Sequence, residues 1–120
     1  MTAQSVRNFG KSFRYAFQGF VYVFQHERNF RVQVLAALLV VVLMLIYPLK
    51  TWERVILSLV ITLVLVLELI NTIFEKIVDI LKPRIHHYVE MIKDMMAAAV
   101  LIASLGAVAI GLLIFIPYLI

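Results

Sequence analysis

The sequence predicts an all-α membrane protein: an N-terminal amphipathic helix on the membrane surface followed by three transmembrane helices. Three observations carry that reading. Of its 120 residues 64% are hydrophobic, with a mean hydropathy of +1.03, far above the composition of a soluble globular domain. Three apolar runs have about the length that crosses a bilayer, and the eleven Lys and Arg residues cluster beside those runs. A soluble protein is excluded, and a single membrane domain over 1–120 with no separate soluble catalytic domain is expected. The absence of cysteine excludes disulfides, thiolate nucleophiles and Cys-based metal sites. The net charge of +4 belongs to the flanks of the spans, so it points to membrane topology and not to a nucleic-acid partner.

Residues 1–30 place Phe9, Phe13, Phe17, Phe20 and Phe24 on one helical face, with Arg7, Lys11, Arg14 and Gln18 mainly off it. An aromatic stripe with basic flanks suits the headgroup plane, its cations towards anionic lipid; packing on the protein's own core is the other reading, and both can hold at once. The first span is expected over 32–49, where Gln33 is the one polar side chain and Tyr47 and Pro48 mark the exit. Lys50, Trp52 and Arg54 then form an interfacial anchor. The second span, 55–81, turns polar at its end without a turn signal, so Glu75, Lys76 and Asp79 are expected on a helix that projects beyond the bilayer as far as Lys82 and Pro83. The stretch 83–90 is expected as a short connection. The third span is expected over 91–120, with Ala97, Ala98, Ala99, Ala103 and Gly106 of a size that permits close helix approach. Five cations precede the first span, two follow it, four separate the second from the third, and none lies at the end. The positive-inside rule therefore puts the N-terminus and the second connection in the cytoplasm. No cleavable signal and no inverted repeat are expected.

Glu68, Asn71, Glu75 and Asp79 fall within about 80° of one another at about 100° per residue, forming a narrow polar stripe. Solvation at a helix end can account for Asp79 and Glu75; it does not account for Glu68, which follows Leu63–Leu67 inside the apolar run. Glu27, Arg31, Lys93 and Asp94 lie at the same boundary. Snorkelling alone would explain Arg31 and Lys93, but their coincidence with the carboxylates supplies what phosphoryl transfer needs: ligands for a hard cation such as Mg²⁺, cations for phosphates, and an orienter for an acceptor hydroxyl. There is no Gly-rich phosphate loop, Ser58 and Ser104 have no His nearby in sequence, and His26, His86 and His87 form no metal motif.

The segments ELINTIFEKIVD (68–79), HERNFR (26–31) and KDMMAAAVL (93–101) resemble the small prokaryotic diacylglycerol kinase family, which includes the undecaprenol kinases. The resemblance covers nearly the whole chain, and its signature reads Glu68, Asn71, Thr72, Glu75, Val78, Asp79. It implies an integral membrane homotrimer in the bacterial cytoplasmic membrane that moves the γ-phosphoryl group of ATP to a lipid hydroxyl with Mg²⁺, the lipid being undecaprenol or diacylglycerol. By the same resemblance Glu68 is the catalytic base or orienter at the lipid hydroxyl. Glu27 and Glu75 hold metal with the ATP phosphates, and Asn71 supports them. Lys93 and Asp94 contact the nucleotide, with Asp79, Tyr15 and His86 near it, and Arg31 stands at the lipid entrance. The HERNFR form is nearer the undecaprenol branch. The chain departs from the family pattern at Ile73, Phe74 and Met96, which are bulkier than usual or aromatic. Two other classes stay open: a small proton-coupled transporter, which would also use a membrane glutamate, and an inactive kinase-like scaffold, which those bulky residues would suit.

Overall fold

The computed structural model describes residues 2–81 and 86–120, the side chain of His86 excepted. The chain forms four helices: α1 Ala3–His26, α2 Arg28–Ile46, α3 Thr51–Leu81 and α4 His86–Leu119. The last three are long and apolar enough to cross a membrane, and the protein is a multi-pass membrane protein. α3 packs most extensively on α4 and less on α2, and α1 leans on α2. The packed core lies at one end, where Leu49, Leu57, Ile114 and Phe115 are buried with Leu43, Tyr47 and Tyr118 against them. Beside this core runs a cavity of about 530 Å³ lined by small and aliphatic residues, among them Ala37, Val64, Ala107 and Gly111, and sharing Leu43, Leu57 and Phe115 with the core.

Three boundaries differ from the sequence reading, each for a local reason. α2 begins at Arg28, four residues before the expected span. Phe30 is fully buried and meets Phe20 edge to face at 5.3 Å, so HERNFR is the elbow between α1 and α2 plus the first turn of α2. α3 begins at Thr51 because Glu53 accepts a hydrogen bond from the Lys50 amide at 2.8 Å. That is half of a capping box, which starts a helix by satisfying an orphan donor. α4 begins at His86 and not near Met91; no Gly or Pro interrupts it before Gly106, and Val89 is buried. Half of the expected connection is therefore helix, and its remainder, with Lys82, lies outside the described residues. Between α2 and α3 the Leu49 amide donates to the Tyr47 carbonyl at 2.9 Å across Pro48, a γ-turn pattern that proline's fixed φ suits.

The lengths place the polar stripe. α3 has 31 residues, about 46 Å at 1.5 Å per residue, against a hydrocarbon core of about 30 Å. Starting from the exposed Trp52 at one interface, about 20 residues bring the helix to the other near Asn71. Glu68 then lies just inside the apolar region, and Glu75 and Asp79 just beyond it.

Candidate functional site

The site is assembled where the elbow between α1 and α2 meets the overhang of α3 and the first turns of α4. Glu68 is 3% exposed and Thr72 4%; the Thr72 hydroxyl donates to the Glu68 carbonyl at 3.1 Å, which spares a second buried polar group any need for a partner outside its own helix. Asn71 and Glu75 are half-buried, and the Asn71 amide donates to Glu75 Oε1 at 3.4 Å. Asp79 is exposed and pairs with Lys93 Nζ of α4 at 3.0 Å. The charges of Glu75 and Glu27 act on Glu68, and that of Glu75 on Lys93, so the stripe, the elbow and α4 share one electrostatic environment.

Glu27 owes its place to its backbone. It has φ −114° and ψ 111°, neither helix continues through it, and its side chain projects half-buried from the corner. Arg31 holds that corner: Nη1 donates to the carbonyls of Phe24 at 3.0 Å and Gln25 at 2.9 Å, satisfying carbonyls that the end of α1 leaves open. Of the remaining expected residues, Tyr15 and Asp94 are exposed, and the side chain of His86 lies outside the described residues. Ile73 and Phe74 are exposed, away from buried Glu68 and Thr72, and Met96 is half-buried.

No three His, Asp or Glu side chains among the described residues form a metal-holding group. The donors present are nonetheless of the right kind. Glu27 and Glu75 offer hard carboxylate oxygens, and Mg²⁺ in phosphoryl-transfer sites takes one or two carboxylates, completing its shell with phosphates and water. The donor set thus fits a cation shared with a phosphorylated ligand.

Two polar contacts escaped sequence reasoning. Gln33 Nε2 donates to Ser104 Oγ at 3.2 Å, tying α2 to α4 at the mouth of the cavity. At the opposite end Glu53, 7% exposed, accepts from the Tyr118 hydroxyl as well as from the Lys50 amide. In both cases the partner is far away in sequence, and local spacing carries no trace of it.

Carboxylates, an amide and a lysine thus meet at one end of α3 and α4 in a multi-pass membrane protein. The chain belongs to the prokaryotic diacylglycerol kinase family, a class of membrane lipid kinases that use ATP as co-substrate; the family matches residues 14–115. Among its relatives, a diacylglycerol kinase of Synechocystis sp. is 36% identical over 107 residues, covering 88% of this chain and 61% of the relative, so this chain spans less than two thirds of that protein. The undecaprenol kinase of Bacillus subtilis is 35% identical over 114 residues, covering 95% of this chain and 93% of the relative.

Proposed function

We propose that the protein transfers the γ-phosphoryl group of ATP to the hydroxyl of a membrane lipid alcohol, undecaprenol or diacylglycerol, at the cytoplasmic face of the bacterial inner membrane, and does so as a homotrimer. The observation that carries this reading is the assembly of Glu68, Asn71, Glu75 and Asp79 of α3, with Lys93 of α4, in one stripe that runs from the apolar region out past its edge. A lipid hydroxyl reaches the buried end of that stripe from the bilayer and a nucleotide reaches its exposed end from water. Glu68, buried at the apolar side, orients the acceptor hydroxyl and accepts its proton as the bond from the hydroxyl oxygen to the γ-phosphorus forms and the bond from that phosphorus to the β–γ bridging oxygen breaks, ADP leaving. Glu27 and Glu75 hold Mg²⁺, which when bound neutralises phosphate charge, and Asn71 fixes the Glu75 carboxylate. Lys93, steadied by Asp79, attracts the phosphates, while Asp94, Tyr15 and His86 contact the rest of the nucleotide. Arg31 secures the elbow beside the lipid entrance.

Among the described residues no contact in the site favours proton-coupled transport, and Ile73 and Phe74 are exposed, away from buried Glu68 and Thr72, which supports an active site over an inactive scaffold. Between the acceptors, the near full-length match to an undecaprenol kinase favours the polyprenol. The test is transfer of labelled phosphate from ATP with Mg²⁺ to each lipid offered separately in mixed micelles, with Glu68→Gln as control. Label in undecaprenol, lost in the variant, is the expected result. Label in diacylglycerol alone reverses the acceptor. No label in either lipid from folded protein overturns the kinase reading.

A further inference from the structure

We propose that Tyr22, His26 and Lys76 form a cation–aromatic clasp between α1 and α3 that sets the position of Glu27 relative to Glu75; the role rests on the kinase reading above. Tyr22 and His26 lie one turn apart near the end of α1, their rings stacked with centroids 4.1 Å apart and planes 22° from parallel. His26 Nδ1 lies 2.8 Å from the Tyr22 carbonyl, which ties the pair to the last turn. Across the gap, Lys76 Nζ of α3 stands over the Tyr22 ring, 5.8 Å from its centroid, within the range where a cation is held by a ring face. Each end of this clasp is a chain neighbour of one carboxylate: His26 precedes Glu27, and Lys76 follows Glu75. α1 packs on α2, so this contact bears directly on how the elbow sits over the α3 overhang. Arg31 closes the corner from the α2 side. Glu27, with neither helix running through it, is thus gripped from both directions. Tyr22 and His26 also lie on the face of α1 nearly opposite the phenylalanine stripe, at about 100° per residue, whose Phe9, Phe13 and Phe17 are exposed and whose Phe20 meets Phe30 of α2. The three are positioning residues: their side chains need touch no substrate.

The test uses the full-length protein in mixed micelles with Tyr22→Leu and Lys76→Leu, against Tyr22→Phe and Lys76→Arg, which keep the ring and the charge. Two quantities are read: amide hydrogen exchange over residues 20–31 without nucleotide, and the KM for Mg·ATP beside that for the lipid. The leucine variants are expected to exchange about tenfold faster at the end of α1 and to raise the KM for Mg·ATP roughly 10- to 100-fold, the scale on which residues supporting a metal ligand act, with the lipid KM unchanged. The phenylalanine and arginine variants are expected to stay near the unsubstituted protein. Exchange unaltered in both leucine variants overturns the clasp, as does a loss that falls equally on both substrates. If exchange responds while the unsubstituted protein transfers no phosphate to any lipid, the clasp stands and the kinase reading falls.

Discussion

At the scale of single residues, burial separates the carboxylates by task. Glu68 is closed off by α3's own environment whereas Asp79 is open to water, so the same substitution has different consequences at the two sites. Glu68→Gln keeps shape and removes the base: transfer should fall by on the order of 10²–10⁴, the usual contribution of a positioned proton acceptor, while the folded fraction, read by size-exclusion elution and circular dichroism, holds. Undiminished transfer would remove Glu68 from the chemistry. For the Asp79–Lys93 pair, with side chains 58% and 31% exposed, solvent screening limits the stability contribution to about 0–1 kcal/mol. Lys93→Met should therefore leave thermal stability nearly intact while the KM for ATP rises; a large drop in stability with an unchanged KM would make the pair structural. The stripe was legible because Glu68, Asn71, Glu75 and Asp79 share one helix, where spacing fixes the face. Their convergence with Glu27 was legible only as a shared membrane boundary and through the family resemblance, because an extended residue between two helices sets its direction and no periodicity reports it.

At the scale of elements, the two ends of the α3–α4 pair are held differently. The far end has a packed core and the Glu53 staple, in which one carboxylate starts α3 and anchors Tyr118 of α4. The site end also has buried residues, Phe30, Val78 and Val89 with Glu68 and Thr72, but its charged contact between α3 and α4 is a surface ion pair. Tyr118→Phe removes a hydrogen bond to a charged group, worth about 1.5–3 kcal/mol. Unfolding should shift by that order with transfer unchanged at temperatures well below the transition; a loss of transfer in the still-folded variant would show that the two ends are coupled. The order of helices was readable from apolar run length and charge. The helix starts were not, since each depends on a tertiary event: Phe30 seating on Phe20 at α2, Glu53 turning back on Lys50 at α3, Val89 packing inward at α4.

At the scale of the whole molecule, the kinase reading requires that the carboxylate edge face the compartment that holds ATP, and the distribution of charge along the sequence predicts that. Five of the eleven cations precede the first span in sequence and four separate the second from the third, whereas the other two, Lys50 and Arg54, follow the first. Loops rich in Lys and Arg stay in the cytoplasm. The cations of α1 act in the same sense: with Phe9, Phe13 and Phe17 exposed along one face, the helix can lie in the headgroup plane and hold the elbow at the depth of Glu68. Because the chain has no cysteine, the orientation can be read with single introduced thiols on an unmodified background. Ser12→Cys on α1 and Thr51→Cys at the start of α3 are both exposed and outside the proposed site. A membrane-impermeant maleimide should label Thr51→Cys on intact spheroplasts and Ser12→Cys only after lysis. The reverse pattern would place the carboxylate edge away from ATP, and no arrangement of Glu27, Glu75 and Lys93 could then perform the transfer.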